Sequence, residues 1–326
     1  MESQMMIMRQ TSEIVDEVLG EIHRAFRKEG EKRGDTPISE LRSKMIVILD
    51  GLMSHSAYGP ILRQLREHDD YTFRHSIGVA ILSMWIGQSY NLGRKDLRHL
   101  TYAALLHDVG KIKIPSEILQ KPGALTEDQF YLMRFHCEYG YEMLMAAVPS
   151  DIASEEPSAG HASAEAYAGR IAKVALQHHE REDGSGYPYN LTAKSIDLWS
   201  KIVAVADVFH AMISLRPYKS PATALNVLQM MADDECGALD RNSVLCLQRK
   251  AMAILMGDQV RLSNGTVGRI VMIPHHAPTQ PIVEVNGVFI DLSRHPELTM
   301  ECLVNTTDSD DTDDTYYYET VSVTDS

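Results

Sequence analysis

Two short stretches of this chain combine residue types that hold metal ions. In the first, Leu105-Leu106-His107-Asp108-Val109-Gly110-Lys111, a His and an Asp close an apolar run. The second, His178-His179-Glu180-Arg181-Glu182-Asp183-Gly184-Ser185-Gly186-Tyr187-Pro188, opens on adjacent histidines and continues into a turn-rich segment. Ring nitrogens and carboxylate oxygens, with no sulfur at matching spacing, suit a hydrolytic site of more than one metal ion. Asp108 ends Tyr102-Ala103-Ala104-Leu105-Leu106-His107, and Asp207 interrupts Val203-Ala204-Val205-Ala206-Asp207-Val208-Phe209, so both carboxylates should be buried. An isolated buried carboxylate is costly, and each should face a cation. A salt bridge to Lys or Arg would explain one of them. It would not explain two beside His75, His107, His136, His178 and His179 in one helical stretch. Taken singly, His75 or His136 would read as a core histidine.

The elements that must position these residues are helical. From 1 to 70 the spacing of Ile14, Val18, Ile22 and Phe26 predicts one helix. Leu41, Met45, Ile48, Leu49 and Leu52 predict a second after a break at Gly30–Pro37. Packing of these helices, including packing between subunits of a homodimer, outweighs a sensory role. From 71 to 256 one all-α bundle is the simplest account, with the apolar runs Ile77–Trp85 and Ile202–Phe209 as its central helices. Pro149–Gly169 interrupts it as a surface loop or weak helix, where His161 is expected to be exposed rather than a ligand. From 257 to 305 the period changes to alternation, and Asn264-Gly265 and Asn286-Gly287 predict two hairpins of a small β module. His275 and His276 read as part of a plain loop there. Lys111, next to the His-Asp pair, reads on its own as an exposed helix-end lysine countering the dipole.

Composition narrows the setting. The chain has 326 residues, 44% of them hydrophobic, and no leading basic-then-apolar segment or long apolar span, so a cytoplasmic globular protein without a membrane span is expected. Cys137, Cys236, Cys246 and Cys302 form no close pair and are expected to be reduced structural thiols. The net charge is −14, and the segment from 306 to 326 contributes Asp308, Asp310, Asp311, Asp313, Asp314, Glu319 and Asp325 without any Lys or Arg. Disorder is the default for such a tail, with Tyr316, Tyr317 and Tyr318 as an alternative docking segment for a protein partner. Without a basic stripe, long nucleic acids are not expected partners.

In the stretch from Tyr71 to Pro221 the chain resembles the HD-GYP phosphodiesterases, a branch of the HD metal-dependent phosphohydrolases that act on the bacterial second messenger cyclic di-GMP. The resemblance rests on an ordered set: His75; His107-Asp108-x-Gly110-Lys111; His136-x-x-x-Gly140; His178-His179-Glu180 with Asp183-Gly184-x-Gly186-Tyr187-Pro188; Ala206-Asp207; and Arg216-Pro217-Tyr218-Lys219. It implies an HD-type helical bundle. It also implies that His75, His107, Asp108 and Asp207 hold one metal and His136, His178 and His179 a second, with Asp108 bridging and iron, or manganese, as the ion. Two ions about 3.5–4 Å apart can share a hydroxide nucleophile and stabilise charge on phosphoryl oxygens. Lys111, Tyr187, Arg216 and Lys219 are then expected to bind substrate, with Asp108 and Lys111 in the catalytic role and Glu180 and Asp183 supporting the ligands or the loop.

The chain departs from that pattern in two residues. Members with a third metal carry a Glu four residues before the first ligand His, where this chain has Tyr71; Asp70 is one position off, so two metals are expected. Where the family usually has Asp, three residues after Asp207, this chain has His210, which would bond a ligand or point to solvent. The expected activity is hydrolysis of cyclic di-GMP to pGpG, and on to GMP. The alternatives are a cyclic-dinucleotide-binding signalling adaptor with little turnover and a phosphodiesterase for another cyclic dinucleotide.

Overall fold

The computed structural model describes residues 13–19, 45–49, 59–147, 164–214, 224–232 and 238–304. Two short helical pieces, α1 (residues 13–19) and α2 (residues 45–49), bury Ile14, Val15, Val18, Leu19, Met45 and Leu49 in the same core as the rest of the chain. The apolar spacing read in this region is thus used for packing within the chain. Ile22, Phe26, Leu41 and Leu52 lie outside the described residues, as do His161, Arg216, Lys219, Cys236 and the acidic tail.

After α3 (Gly59–His68), Asp69 caps the N-terminus of α4 (Asp70–Ser89) by accepting a hydrogen bond from Tyr71 N at 3.1 Å. α4 is buried on all sides over most of its length, from Phe73 to Gly87, with Arg74 the part-exposed exception. That burial explains its nearly all-apolar run Ile77–Trp85, with the buried Ser83 inside it. Around it pack α3, α5 (Arg94–Leu106), α10 (Leu198–Ile213) and α12 (Arg241–Ile254). α10, capped by Asp197, contributes the fully buried Trp199 and Phe209. α8 (His136–Ala146) packs on α9 (Ala164–Gln177) and on a 3-10 helix at Val109–Lys113. α6 (Ser116–Leu119) and α7 (Glu127–Arg134) join these elements, and α7 begins with a reciprocal Thr126/Gln129 capping box but buries none of its own residues. α11 (Ala224–Ala232) covers α10 and α12. Among the described residues, no helix is long and apolar enough to cross a membrane.

The described residues after α12 form one antiparallel sheet in the order β4-β3-β2-β1-β5, from β1 (Gln259–Leu262), β2 (Val267–Met272), β3 (Ile282–Val285), β4 (Val288–Asp291) and β5 (Met300–Val304). Both Asn-Gly pairs turn hairpins. Asn286 (φ 51°) and Gly287 (φ 82°) form the two-residue loop between Val285 and Val288, and both take the left-handed conformation that a twisted hairpin requires. Val260, Leu262, Ile270, Val283 and Met300 join the helical core, so the sheet packs on the bundle. The architecture is mainly α with a small C-terminal sheet.

Candidate metal centre

The loop that follows α5 places His107 and Asp108 at the entry to the 3-10 helix, facing the start of α8. Two glycines make that approach possible. A Cβ on Gly110 would lie 1.9 Å from the His136 carbonyl oxygen, and one on Gly140 would lie 3.2 Å from the Ala175 Cβ. His136 opens α8, His178 and His179 follow α9, His75 lies on α4 and Asp207 is mid-α10. Residues far apart in sequence therefore meet where five helices converge.

Three of the imidazoles are tied to backbone carbonyls through Nδ1: His107 to Ala104 at 2.7 Å, His136 to Met133 at 2.6 Å and His178 to Ala175 at 3.0 Å. An Nδ1 proton donated to a carbonyl leaves the Nε2 lone pair for a cation. The ligand atoms fall into two groups that share Asp108: His75, His107 and Asp108 in one, and Asp108, His136, His178 and His179 in the other, each with its atoms within 4.8 Å of one another. Asp207 abuts the first group, its Oδ1 2.9 Å from His75 Nε2. Nε2 of His107, His136 and His178 stands 3.3, 3.4 and 3.7 Å from the Asp108 carboxylate. His107 Nε2 and Asp108 Oδ1 are buried and complete no hydrogen bond. Buried acceptor atoms converging without donors are what a cation satisfies, so the donor set fits metal ions.

Electrostatics favour the same chemistry. Burial pushes His136 down to about 3 and also lowers His178 and His179, which keeps these rings neutral and their lone pairs available. For His107 burial acts downward too, but the adjoining Asp108 carboxylate outweighs it and the net shift is upward. Burial opposes ionisation of Asp108 and Asp207. For Asp108 the charges of Lys111 and His107 win, and for Asp207 the hydrogen bond from His75 wins, so both stay well below the usual carboxylate range. Lys111 Nζ lies 2.6 Å from Asp108 Oδ2. The lysine is thus no exposed helix-end charge; it is paired with the central carboxylate.

The loop after His179 is closed by Glu180. Its buried carboxylate accepts hydrogen bonds from Tyr189 N at 2.7 Å and Leu191 N at 2.8 Å, so it holds the loop rather than a ligand ring. Gly184 takes φ 81°, and a Cβ on Gly186 would lie 2.4 Å from Arg181 N, so this tight fold needs glycine at both positions. Asp183 accepts from Ser185 N at 2.9 Å at the exposed edge of the loop. The Tyr187 ring stacks on His179, with centroids 4.6 Å apart and planes at 28°. Arg134 Cζ lies 4.9 Å over that ring and Phe130 meets it edge-on at 5.9 Å. Sequence reasoning missed Arg134 and Phe130. Their signal was proximity to His136, because the helix carrying them ends just before it.

Several expectations need correction or detail. His210 does not point to solvent: it is buried, with Nδ1 3.0 Å from His75 Nδ1. Asp70 is paired with Arg74 at 2.6 Å, while the half-exposed Tyr71 ring lies parallel to His75 at 6.5 Å. Cys137 is buried with Sγ 3.5 Å from His136 Nε2, and burial pushes its thiol up, against thiolate ligation. Cys302 is exposed rather than structural. His275 and His276 are exposed, and the His275 carbonyl accepts from Arg249 Nη2 at 2.6 Å.

Residues 61–241 match the family model described as HD domain. Over 235 residues the chain is 32% identical to a cyclic di-GMP phosphodiesterase of Pseudomonas aeruginosa, covering 72% of this chain and 52% of that protein. It is 41% identical over 162 residues to a cyclic di-GMP phosphodiesterase of Thermotoga maritima, covering 49% and 40%. It is 34% identical over 171 residues to a 3'3'-cGAMP-specific phosphodiesterase of Vibrio cholerae, covering 52% and 36%. The matches thus span about half, or less, of these relatives' own lengths.

Proposed function

The chain belongs to the HD domain family, and from that membership we propose that it is a metal-dependent phosphodiesterase that hydrolyses cyclic di-GMP to pGpG, and further to GMP. The observation that carries this reading is Asp108, one carboxylate common to two groups of ligand atoms. His75, His107, Asp108 and Asp207 would hold one divalent ion and Asp108, His136, His178 and His179 the other. Iron, or manganese, suits a nitrogen and oxygen set of this kind. When bound, two such ions acidify water and stabilise negative charge on a phosphoryl group.

The side chains do the rest. Carbonyl anchors on His107, His136 and His178 orient the rings before any ion arrives, which limits reorganisation during turnover. Lowered pKa values keep Asp108 and Asp207 anionic, and burial keeps His136, His178 and His179 neutral, so protons do not compete for these atoms at neutral pH. Lys111 is partly exposed beside Asp108 and is assigned to a phosphate oxygen, where a cation favours the more highly charged transition state. Tyr187, stacked on His179, is assigned to substrate binding, and Asp183 supports the loop that carries it. Arg216 and Lys219 follow α10 in sequence and are assigned to phosphate binding from the family pattern.

The likeness to a 3'3'-cGAMP-specific relative supports a second substrate reading, the mixed GMP-AMP ring. One experiment tests both. The protein, purified without oxygen and loaded with iron or manganese, is given each cyclic dinucleotide beside an Asp108→Ala control, and linear products are separated chromatographically. Turnover lost in the control supports the phosphodiesterase reading, and kcat/KM ranks the substrates. A wild-type protein that carries metal and opens neither ring defeats it.

A further inference from the structure

His107, His136 and His178 each direct Nδ1 at a backbone carbonyl, but His75 directs its Nδ1 at a side chain: His210 Nδ1, 3.0 Å away. His75 sits inside α4, and its Nε2 points the other way, 2.9 Å from Asp207 Oδ1. A ring that offers its Nε2 lone pair to an ion must carry its proton on Nδ1, and that proton needs an acceptor. His210 lies on α10 one turn beyond Asp207, so both residues face α4. Ser214 Oγ also lies 3.2 Å from His210 Nδ1 and shares that atom's single lone pair with His75.

The partner helix is cut to fit. A Cβ on Gly78 would lie 1.9 Å from His210 Nε2 and 2.3 Å from its Cδ2. Any side chain at 78 would therefore expel the ring from its place against His75. Glycine weakens the interior of a helix, yet Gly78 stands in the buried middle of α4. The glycine and the histidine, 132 positions apart, form one unit.

We propose that His210, seated against Gly78, is a positioning residue of the first ligand group: it accepts the Nδ1 proton of His75 and aims Nε2 at the ion. This rests on the reading of His75 as a metal ligand.

The test measures metal content per chain and manganese affinity in the full-length wild type and in His75→Ala, His210→Ala, His210→Gln, Gly78→Ala and the double variant Gly78→Ala/His210→Ala. His210→Ala should weaken one ion by about 10–100-fold and leave the other unchanged. His210→Gln, whose amide oxygen still accepts, should recover most of that loss. Gly78→Ala should reproduce the loss, and in the His210→Ala background should add nothing. If His75→Ala costs one ion while His210→Ala and Gly78→Ala bind both as tightly as wild type, His210 is packing only and the proposal is overturned. If His75→Ala costs no ion, the ligand reading itself fails and takes the proposal with it. Should His210→Ala not fold, the same decision is read from His210→Gln beside Gly78→Ala: a Gly78→Ala loss that the Gln variant lacks supports the proposal, and full affinity in both overturns it.

Discussion

Gly110 lies so close against His136 that an added Cβ would be 1.9 Å from the His136 carbonyl oxygen and 2.5 Å from Gly140 N. The His-Asp turn and the start of α8 meet backbone to backbone there, beside the side-chain approach of His136 Nε2 to Asp108 at 3.4 Å. Gly110→Ala must push α8 away, and overpacking a rigid interior costs about 1–3 kcal/mol or more. The urea midpoint should fall accordingly. Metal content should fall with it, because His136 rides on the displaced backbone. A Gly110→Ala protein with wild-type stability and metal content would contradict this packing.

Acid should destabilise the metal-free protein. His136, His178 and His179 have pKa values lowered below the ordinary histidine value when folded, so each binds its proton more readily when unfolded. Their contribution is fully present above pH ~6.5 and is lost as pH falls through that value toward about 3, the value for His136. His107 is shifted the other way and opposes the trend; Asp108 and Asp207, held low, act in the same direction as the three histidines at lower pH. The net slope between pH 7 and 5 should be on the order of 1–3 kcal/mol per pH unit. Chemical denaturation in chelator at several pH values measures it, and a flat profile would refute the neutral assignment of these rings.

Much of the site could be read in the chain because its cause is local. Two Asp residues inside apolar runs need cations wherever the fold puts them, and an Asn-Gly pair between β-branched residues turns the same way in any sheet. Gly110, Gly140 and Gly78 are different. Their need for glycine comes from atoms of other elements, and nothing near Gly78 in sequence indicates that the His210 ring must occupy its space. Arg134 and Phe130 are ordinary residues of an amphipathic turn until the loop after His179 brings Tyr187 against them. The alternation that marked the sheet was legible for the same reason as the hairpins, whereas its packing against the bundle through Val260, Ile270 and Val283 depends on distant partners.

Tyr187 should matter through its ring before its hydroxyl. The ring stacks on His179, and the Arg134 guanidinium lies over it. Tyr187→Phe keeps both contacts and should retain the metal ions, with any loss confined to KM. Tyr187→Ala frees His179 and should weaken metal binding by about 10-fold, in keeping with loss of an outer partner. Metal analysis beside steady-state kinetics separates these effects. Equal metal loss in both variants would show that the hydroxyl, not the stack, holds His179.

Glu180 ties the loop after His179 to the histidine pair, and its removal should separate stability from metal binding. The buried carboxylate accepts the backbone N–H groups of Tyr189 and Leu191 and so closes the loop back toward the histidine pair. Hydrogen bonds to a charged acceptor contribute about 1.5–3 kcal/mol each, and Glu180→Ala would leave two donors to find water or stay unpaired. A loss of about 3 kcal/mol in unfolding free energy is expected. The Nδ1 anchor of His178 on Ala175 lies on the other side of the histidine pair and does not involve Glu180. The variant should therefore retain most of its metal while KM for the cyclic dinucleotide rises, because Tyr187 and the glycines beside it lose their fixed path. Glu180→Gln, which keeps one oxygen acceptor, should fall between. If Glu180→Ala releases metal as completely as Asp108→Ala does, the carboxylate supports the ligands directly and its assignment to the loop is wrong.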